Sequence, residues 1–341
     1  MLPNQSPPPL DPRRSRNVGA SEVASLFSIL WDDPTIRPDE ITPFSTRYGL
    51  WMLKAGRLAQ LPEPKPEFEG GPRPALKDRK FWGSMVEQTV ANALAETLGW
   101  GIRRGRFVEH PSFRGMSATT DFEVGFDAGD VVDAVLEVKN VDWLEFKRWT
   151  EEMQPGVDWY SEGEWVQAYI QPPFRYKLQL QAQLACTGYR WGILAVFVGG
   201  NELYLFRIER NERAIQRIES EIKTFWHSIE RNEPPDPNWR FDAETVVALH
   251  GKAEPDTVVS CVGHPEALAA AHAYFEAQAD EAEAKKRKTA AKAKILQIVG
   301  EAERAIFDDG IKLSAGVVKG CYVAYEREAY RNFRLTQGKT K

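Results

Sequence analysis

The chain has 341 residues, of which 43% are hydrophobic, and a formal net charge of −5 at pH 7. That length can bury a full core in one large domain or two. The three cysteines are scattered and suggest neither a disulfide framework nor a zinc site, and three cannot ligate a four-cysteine iron–sulfur cluster. The longest apolar run, residues 191–198, is too short to span a bilayer, and the Pro-rich start lacks a signal-peptide core. We therefore expect a cytoplasmic protein. The negative charge does not exclude nucleic-acid binding, because phosphate needs only a local cationic surface.

The N-terminal region is predicted to be disordered over residues 1–12 and helical around Ser21 and around residues 47–54. Arg14 precedes the Gly-Ala-Ser turn that ends at Ser21. A helix N-terminus with a nearby Arg suits a phosphate group. A simple N-cap role for Ser21 is the alternative. Residues 61–74 are rich in Pro and are predicted to form an extended loop.

A helix is predicted over residues 81–98, because Val86, Val90 and Leu94 recur at helical spacing. Gly99 follows as a plausible C-cap. Glu87 lies next to the apolar face, and Gly83, one turn earlier, leaves space around it.

Asp121 and the Glu137-Val138-Lys139 segment carry the most informative pattern. A hairpin would bring the two acids together, and carboxylate oxygens are the ligands that Mg²⁺ prefers. Lys139 lies two residues after Glu137 and therefore points to the same face of the strand. Carboxylates, a divalent ion and a neighbouring cation are the groups needed to hydrolyse a phosphodiester. The alternative is an ordinary set of surface charges joined by a salt bridge.

A second helix is predicted after Pro172-Pro173, with Tyr176, Gln179 and Gln183 on one face. Gln179 is the candidate for contact with water, lysine or phosphate, and Gln181 or Gln183 would replace it in another register. Buried strands are predicted over residues 191–198 and 203–208. Before this helix, Trp159 and Trp165 flank a polar loop, where they would either wedge against a DNA end or pack beneath the loop.

The order of these motifs resembles the PD-(D/E)xK nuclease superfamily. It runs from a Gly-x-x-x-Glu helix through an Asp and a Glu-x-Lys to a Gln-x-Gln helix. The chain is most similar to phage lambda-type exonucleases and YqaJ recombinase nucleases, over about residues 14–235. The resemblance implies an α/β fold with a restriction-endonuclease-like core, in which helices flank a central mixed β-sheet. It gives a nuclease domain over 13–240 and a mainly helical C-terminal extension over 241–341.

The resemblance also assigns roles to residues. The catalytic set is Glu87, Asp121, Glu137, Lys139 and Gln179, and the metal set is Glu87, Asp121, Glu137 and Val138. The ion would be Mg²⁺, with Mn²⁺ as the alternative, and two ions per site are expected. The residues expected to bind DNA or phosphate are Arg14, Ser21, Arg47, Thr119 and Tyr176. Glu123 and Asp133 are expected to be solvated or supporting charges. One departure is Phe122, which stands where the family's motif has Gly after the acid.

The function implied by this resemblance is a Mg²⁺-dependent exonuclease that degrades the 5′ strand of linear duplex DNA. The 3′ single strands would feed a single-strand annealing protein, and the enzyme would be a ring-shaped homotrimer. An endonuclease of the same superfamily, a non-catalytic DNA-binding scaffold and a nuclease acting on RNA or flaps are the alternatives.

The C-terminal extension is predicted to hold one helix from residue 264 to about 287 and another over 292–306, as a protruding helical pair or a coiled-coil-like arm. A final strand is predicted over residues 316–325. Its basic end, with Arg327, Arg331, Arg334 and Lys339, would line a DNA path or remain solvated.

Overall fold

The computed structural model describes residues 12–32, 45–61, 79–126, 132–149, 157–308, 310–317, 319–320, 322 and 335. Three predicted segments lie outside these ranges. They are the start predicted to be disordered, except for Pro12, the Pro-rich loop, except for Leu61, and the four basic residues of the C-terminal end. The chain divides into two compact units, Met1–His250 and Gly251–Lys341.

Twelve strands and seven α-helices are formed by the described residues. The strands are β1 (Val18–Gly19), β2 (Gly101–Arg104), β3 (Phe107–Glu109), β4 (Met116–Thr119), β5 (Phe122–Gly125), β6 (Ala134–Val141), β7 (Asp158–Ser161), β8 (Glu164–Gln167), β9 (Trp191–Val198), β10 (Glu202–Glu209), β11 (Arg304–Ile306) and β12 (Lys312–Ser314). The helices are α1 (Arg47–Lys54), α2 (Arg79–Leu98), α3 (Trp143–Arg148), α4 (Phe174–Thr187), α5 (Glu212–Glu230), α6 (Ala243–Leu249) and α7 (Pro265–Val299). Two 3-10 segments, Pro12–Arg16 and Ala20–Asp32, precede α1.

A seven-stranded mixed sheet forms the centre of the first unit, in the order β2-β5-β6-β9-β10-β7-β8. Its neighbouring strands are antiparallel except for β6 and β9, which are parallel. A parallel pair needs a long crossover connection, and the segment between these two strands contains α3, the β7–β8 hairpin and α4. Both central strands are buried on both faces, in agreement with the apolar run at 191–198.

Helices cover both faces of this sheet. On one face, Val90 and Leu94 of α2 pack with Phe122 and Leu136. On the other, Leu180 and Leu184 of α4 pack with apolar residues of β6 and β9. The predicted α/β class, a mixed sheet flanked by helices, is therefore confirmed.

Helix α4 is enclosed on two sides. Leu178, Ala182 and Ala185 pack against a further cluster formed by the second 3-10 segment, α1, α5 and a small sheet. That sheet has the order β1-β4-β3. Because α4 lies between two apolar clusters, polar side chains on its remaining surface, Gln181 and Gln183, are buried as well.

The first unit extends past the boundary expected at residue 240. Phe241, Val246 and Leu249 pack against the cluster around α1 and α5, and Asp242 accepts a hydrogen bond from the Thr46 hydroxyl. Residues up to α6 therefore belong to this unit.

The second unit differs from the expected helical pair. A single helix of 35 residues, α7, replaces both predicted helices, and none of its residues is buried. The β11–β12 hairpin follows it. The predicted strand at 316–325 does not form at its described positions, 316, 317, 319, 320 and 322. None of the helices described is both long and apolar enough to cross a membrane.

Candidate functional site

The candidate site centres on Glu137 of β6, which is only 3% exposed. Strand alternation places Leu136 and Val138 in the apolar cluster under α2, so Glu137 and Lys139 point towards α4. A carboxylate in such a position needs hydrogen-bond and charge partners, because burial of an unpaired charge is costly.

Three donors supply those partners. The Lys139 Nζ and the Gln179 Nε2 each lie 2.5 Å from the Glu137 Oε1. The Gln183 Nε2 donates to the other carboxylate oxygen at 2.6 Å. The sequence left open which glutamine of α4 enters the site, and the structure places both Gln179 and Gln183 there. Gln181 instead bonds the Glu209 carbonyl and the Asn211 amide at the turn before α5.

Asp121 lies where the chain crosses from the small sheet to the large one, between β4 and β5. Its Oδ2 accepts a hydrogen bond from the Val138 amide at 2.9 Å, which ties it to the strand of Glu137. Its carbonyl accepts from the Gly105 amide at 3.0 Å. A Cβ at Gly105 would lie 2.1 Å from the Thr120 carbonyl oxygen, so only glycine permits this approach.

The electrostatics of the site favour an added cation. Burial raises the pKa of Asp121 well above its usual value, and repulsion from Glu137 and Glu87 raises it further. Burial alone would lower the pKa of Lys139, but the attraction of Glu137 and Asp121 outweighs it, and that pKa is raised. Lys139 is therefore a charged ammonium at neutral pH.

Glu87 enters the site from α2. Burial raises its pKa, with a smaller contribution from Glu137, while Arg104 and Lys139 act in the opposite direction. The Arg104 guanidinium donates to Glu87 at 3.4 Å and lies 4.8 Å from the centre of the Phe122 ring. Sequence reasoning did not identify Arg104, because its place beside Glu87 depends on the pairing of β2 with β5.

Tyr176 lies at the start of α4, over the lysine. The Lys139 Nζ is 5.6 Å from its ring centre, and its hydroxyl accepts a hydrogen bond from Arg175 at 3.2 Å. Thr119 enters through its carbonyl, which accepts from the Gln183 Nε2 at 3.4 Å. Both residues thus lie beside the carboxylates. The Oε1 of Gln183 and the hydroxyls of Ser117 and Thr120 are buried and have no partner among the described residues.

Glu123 is a buried supporting charge and not a solvated one. Arg103 donates two hydrogen bonds to its Oε2, at 2.6 and 2.8 Å, and Arg106 approaches its other oxygen at 3.4 Å. Asp133 lies near the hairpin turn, where it accepts weakly from the Phe126 amide at 3.4 Å.

The Arg14–Ser21 element forms a compact turn. The second 3-10 segment begins at Ala20, so Ser21 lies within it and is not its N-cap. The Glu22 side chain, in the first turn, accepts a hydrogen bond from the Gly19 amide at 2.8 Å. An ideal Cβ at Gly19 would lie 4.0 Å from a guanidinium nitrogen of Arg14, which places Arg14 beside this helix start. Lys54, 5% exposed at its side chain, holds the turn by donating to the carbonyls of Arg14 and Asn17.

Three other candidates have partners elsewhere. Arg47 forms an ion pair with Glu221 at 2.7 Å and also donates to the Leu26 carbonyl. Neither of these contacts joins Arg47 to Arg14. Trp159 stacks on Tyr204, and Trp165 packs edge-on against Tyr160 and Trp191. The two tryptophans therefore pack within the fold. This agrees with the second of the two roles that the sequence left open for them, packing and not a wedge against DNA.

The acidic side chains of the site suit a divalent ion that keeps part of its water shell. Among the described residues, no three His, Cys, Asp or Glu side chains lie together closely enough to hold a metal by themselves. Mg²⁺, however, usually takes one or two carboxylates and keeps several waters. Asp121 and Glu137, which repel each other and raise the pKa of Asp121, fit that manner of binding.

These features define an α/β protein whose central mixed sheet presents a carboxylate–lysine–glutamine site. The family of YqaJ-like viral recombinase domains matches residues 12–190, more than half of the chain. The chain belongs to this family.

Individual relatives are more distant. An uncharacterized protein YqaJ of Bacillus subtilis (strain 168) is 25% identical over 217 residues, 63% of this chain and 53% of that relative, so the match spans about half of the relative's length. An alkaline exonuclease from Laribacter hongkongensis is 21% identical with a TM-score of 0.43, covering 64% of this chain and 91% of that one. The same enzyme in complex with dAMP gives 20% identity and a TM-score of 0.43, over 68% and 95% of the two chains.

Proposed function

We propose that the protein is a metal-dependent DNA exonuclease that acts on the ends of linear duplex DNA in recombination. The observation that carries this proposal is the buried Glu137 carboxylate, held by Lys139, Gln179 and Gln183 beside an Asp121 whose pKa is raised. A stable fold gains little from carboxylates placed so close together. A phosphodiesterase needs them to hold a cation.

Asp121 and Glu137 would hold Mg²⁺ or Mn²⁺ together with the backbone at Val138 and bound waters, Glu87 would join the set through one of those waters, and two ions are proposed. Bound there, the metal would polarise the phosphate and lower the pKa of a bound water. Gln179 and Gln183 keep the Glu137 carboxylate in a single orientation. This orientation decides where the nucleophilic water would sit.

Lys139 acts as a cation in this scheme. Glu137 and Asp121 raise its pKa and keep the ammonium charged while no metal is bound. It can donate a hydrogen bond to that water or to the phosphate oxygens, on which negative charge develops. Tyr176 lies over the ammonium and limits its movement.

The substrate end is proposed to bind at the Arg14–Ser21 turn. Arg14 beside a helix N-terminus suits the doubly charged phosphate at a 5′ end. Digestion would then proceed on the 5′ strand, and the remaining 3′ strand would pass to a single-strand annealing protein. A homotrimer that encloses the duplex is the assembly proposed from the family resemblance.

The test uses linear duplex DNA with a 5′-phosphate at one end, a 5′-hydroxyl at the other and a different label on each strand. In Mg²⁺, the intact chain should release nucleotides from the phosphorylated 5′ strand. Lys139→Ala should lower that rate by at least about 100-fold, the size of effect expected when a group stabilising transition-state charge is lost. Lys223→Ala, on the exposed face of α5, is the matched control and should keep the activity.

Two results would contradict the proposal. Nicking of closed circular DNA without release from ends would keep the catalytic residues and replace the exonuclease with an endonuclease. No cleavage of any DNA, with equal behaviour of Lys139→Ala and the intact chain, would indicate a non-catalytic binding protein.

A further inference from the structure

Helix α7 carries a concentrated positive charge in its second half. The ten residues from Lys285 to Lys294 contain six cations and no acid, in a chain whose net charge is −5. All six are exposed, and no residue of this 35-residue helix is buried. The cations are Lys285, Lys286, Arg287, Lys288, Lys292 and Lys294. Such a segment is the local cationic surface that phosphate groups need, whatever the charge of the whole chain.

Pairing within the helix accounts for only some of these charges. Glu281 precedes Lys285 by four residues and Glu283 precedes Arg287 by four, so both are favourable intrahelical pairs. Glu283 also lies 3.8 Å from the Lys286 ammonium. The other three cations have no acid within four residues on either side. They are Lys288, Lys292 and Lys294.

The helix macrodipole does not account for these three lysines either. A cation gains from the macrodipole only in the last turn of a helix, and the last turn of α7 contains no basic residue. Lys288 and Lys292 are instead like charges four residues apart, which repel each other along the helix surface. An anionic partner outside the helix removes this repulsion, so the segment is suited to bind one.

The cations are arranged in two rows. Successive residues of an α-helix are turned by about 100°, so Ala284 and Ala291 lie on one line along the surface of α7. Cations border this line on both sides, Lys288 and Lys292 on one and Arg287 and Lys294 on the other. The helix therefore presents two cationic rows with only methyl groups between them.

We propose that residues 284–294 of α7 bind duplex DNA by lying in its major groove. The groove is about 12 Å wide and admits an α-helix, whose diameter with side chains is about 10–12 Å. With the alanines towards the floor of the groove, each cationic row faces the phosphates of one strand. Contacts to phosphates carry no sequence information, so the site takes duplex DNA of any sequence. The cations provide the binding, and the alanines determine only which face turns inward.

This site differs from the carboxylate site in what it needs from the substrate. It belongs to the second unit of the chain, whereas Asp121 and Glu137 belong to the first. It contacts the sides of the duplex and needs neither a free end nor a divalent ion. A duplex held there stays attached to the chain between successive cleavage events.

The test measures binding of the full chain to a duplex that is closed by a hairpin at each end, in the presence of chelator. This substrate has no end to digest. Each phosphate contact contributes about 0.9 to the slope of log affinity against log salt concentration. The three-lysine variant, Lys288→Gln with Lys292→Gln and Lys294→Gln, should therefore lower that slope by about 2.7, and lower the affinity at least about tenfold in 0.1 M salt. Fluorescence anisotropy of the labelled duplex measures both.

A control variant carries the same change of net charge at other exposed positions. It combines Arg213→Gln, Lys223→Gln and Lys312→Gln and should keep the slope of the intact chain. Because Gln has nearly the helix propensity of Lys and Arg, the helical signal in circular dichroism should be the same in all three proteins.

A second pair of variants tests the orientation of the helix. Ala291 lies on the line between the two cationic rows, and Ala293 lies on the opposite face. Ala291→Phe should weaken duplex binding several-fold, because the ring holds the helix away from the floor of the groove. Ala293→Phe adds the same volume on the outer face and should bind like the intact chain.

The proposal fails if the three-lysine variant keeps the slope of the intact chain, or if it loses no more affinity than the control variant. Equal effects of Ala291→Phe and Ala293→Phe would overturn the placement in the major groove. Equal binding of single-stranded DNA, with the same salt dependence, would overturn the preference for duplex. Loss of binding to phosphatidylserine vesicles in the three-lysine variant, with duplex binding unchanged, would identify a membrane surface as the partner instead. Since no cleavage is measured, an inactive carboxylate site would leave these results unaffected.

Discussion

Glu137 shows at the scale of single residues how a buried carboxylate is stabilised. Lys139 provides the charge, and Gln179 and Gln183 provide two further hydrogen bonds. Gln183 is fully buried, so it cannot exchange this bond for one with water. Its side chain therefore has both a structural and a positioning role.

Gln183→Met keeps the volume of the side chain and removes the donor to Glu137. A lost hydrogen bond to a buried charged group costs about 1.5–3 kcal/mol, and we expect a fall of this size in the free energy of unfolding. The cleavage rate should also fall, because Glu137 loses its fixed orientation. Urea denaturation and the nuclease assay check this, with Gln216→Met on the exposed surface of α5 as control. Unchanged stability and rate in Gln183→Met would contradict the assignment.

The raised pKa values predict how stability depends on pH. An acid whose pKa is higher in the folded state stabilises the fold while it is protonated, and this stability is lost as pH rises through the folded pKa. Asp121 and Glu87 are both in this class. Without divalent cations, Asp121→Asn should therefore raise the melting temperature at pH 8, and the gain should disappear below about pH 4, the unfolded pKa of Asp. Thermal melts in chelator across this range measure it, and equal melting temperatures at pH 8 would contradict it.

At the scale of elements, the position of Asp121 depends on a close contact between two connecting segments, the β2–β3 connection and the β4–β5 connection. The β2–β3 connection passes against Thr120 and Asp121 at Gly105, with no space for a side chain. Gly83 is the opposite case, since a Cβ there would meet nothing within 4 Å. The two glycines thus have different roles. Gly105 permits a close approach of two backbones, and Gly83 leaves open space one turn from Glu87.

Alanine substitutions separate the two glycines. Gly105→Ala should destabilise the fold by about 1–3 kcal/mol or more, the usual cost of overpacking, and should displace Asp121 and abolish cleavage. Gly83→Ala should stabilise α2 by about 0.5–1 kcal/mol, because Ala is the better helix former. Denaturation midpoints of the two variants provide the comparison. A harmless Gly105→Ala would show that the crossing tolerates a side chain and that Asp121 is not positioned through it.

At the scale of the whole molecule, the two units differ in how they are stabilised. The first has a core on both faces of its sheet and a further cluster around α1 and α5. The second has no buried residue among those described. Stability measured on the chain should therefore be stability of the first unit.

Truncation tests this difference. A chain ending at His250 should melt at the temperature of the full chain, because no described residue of the core is removed. A chain ending at Arg240 should melt lower, since it loses the Asp242 hydrogen bond with Thr46 and the packing of Phe241, Val246 and Leu249. Calorimetry on the full chain and on both truncated chains measures these melting temperatures. Equal melting of the two truncations would place the boundary at residue 240, as expected from the sequence.

The sequence by itself determined the elements with strong local signals. Periodicity and turn residues predicted three of them, namely helix α2 with its end at Gly99, helix α4 after Pro173, and the β9–β10 hairpin at Gly199 and Gly200. The order of Asp121, Glu137, Lys139 and the glutamines was enough to indicate the family, because these residue types occur in a fixed succession.

Only the tertiary structure decided which side chains meet. Gln183 joined Gln179 because α4 is enclosed on two sides, and Arg104 reached Glu87 through strand pairing between distant segments. Trp159 and Trp165 of the edge hairpin found aromatic partners on β10, β7 and β9. The expected pair of C-terminal helices became one, since nothing local interrupts the run to Val299. Contacts between residues far apart in the chain depend on the packing of whole elements, which local periodicity does not specify.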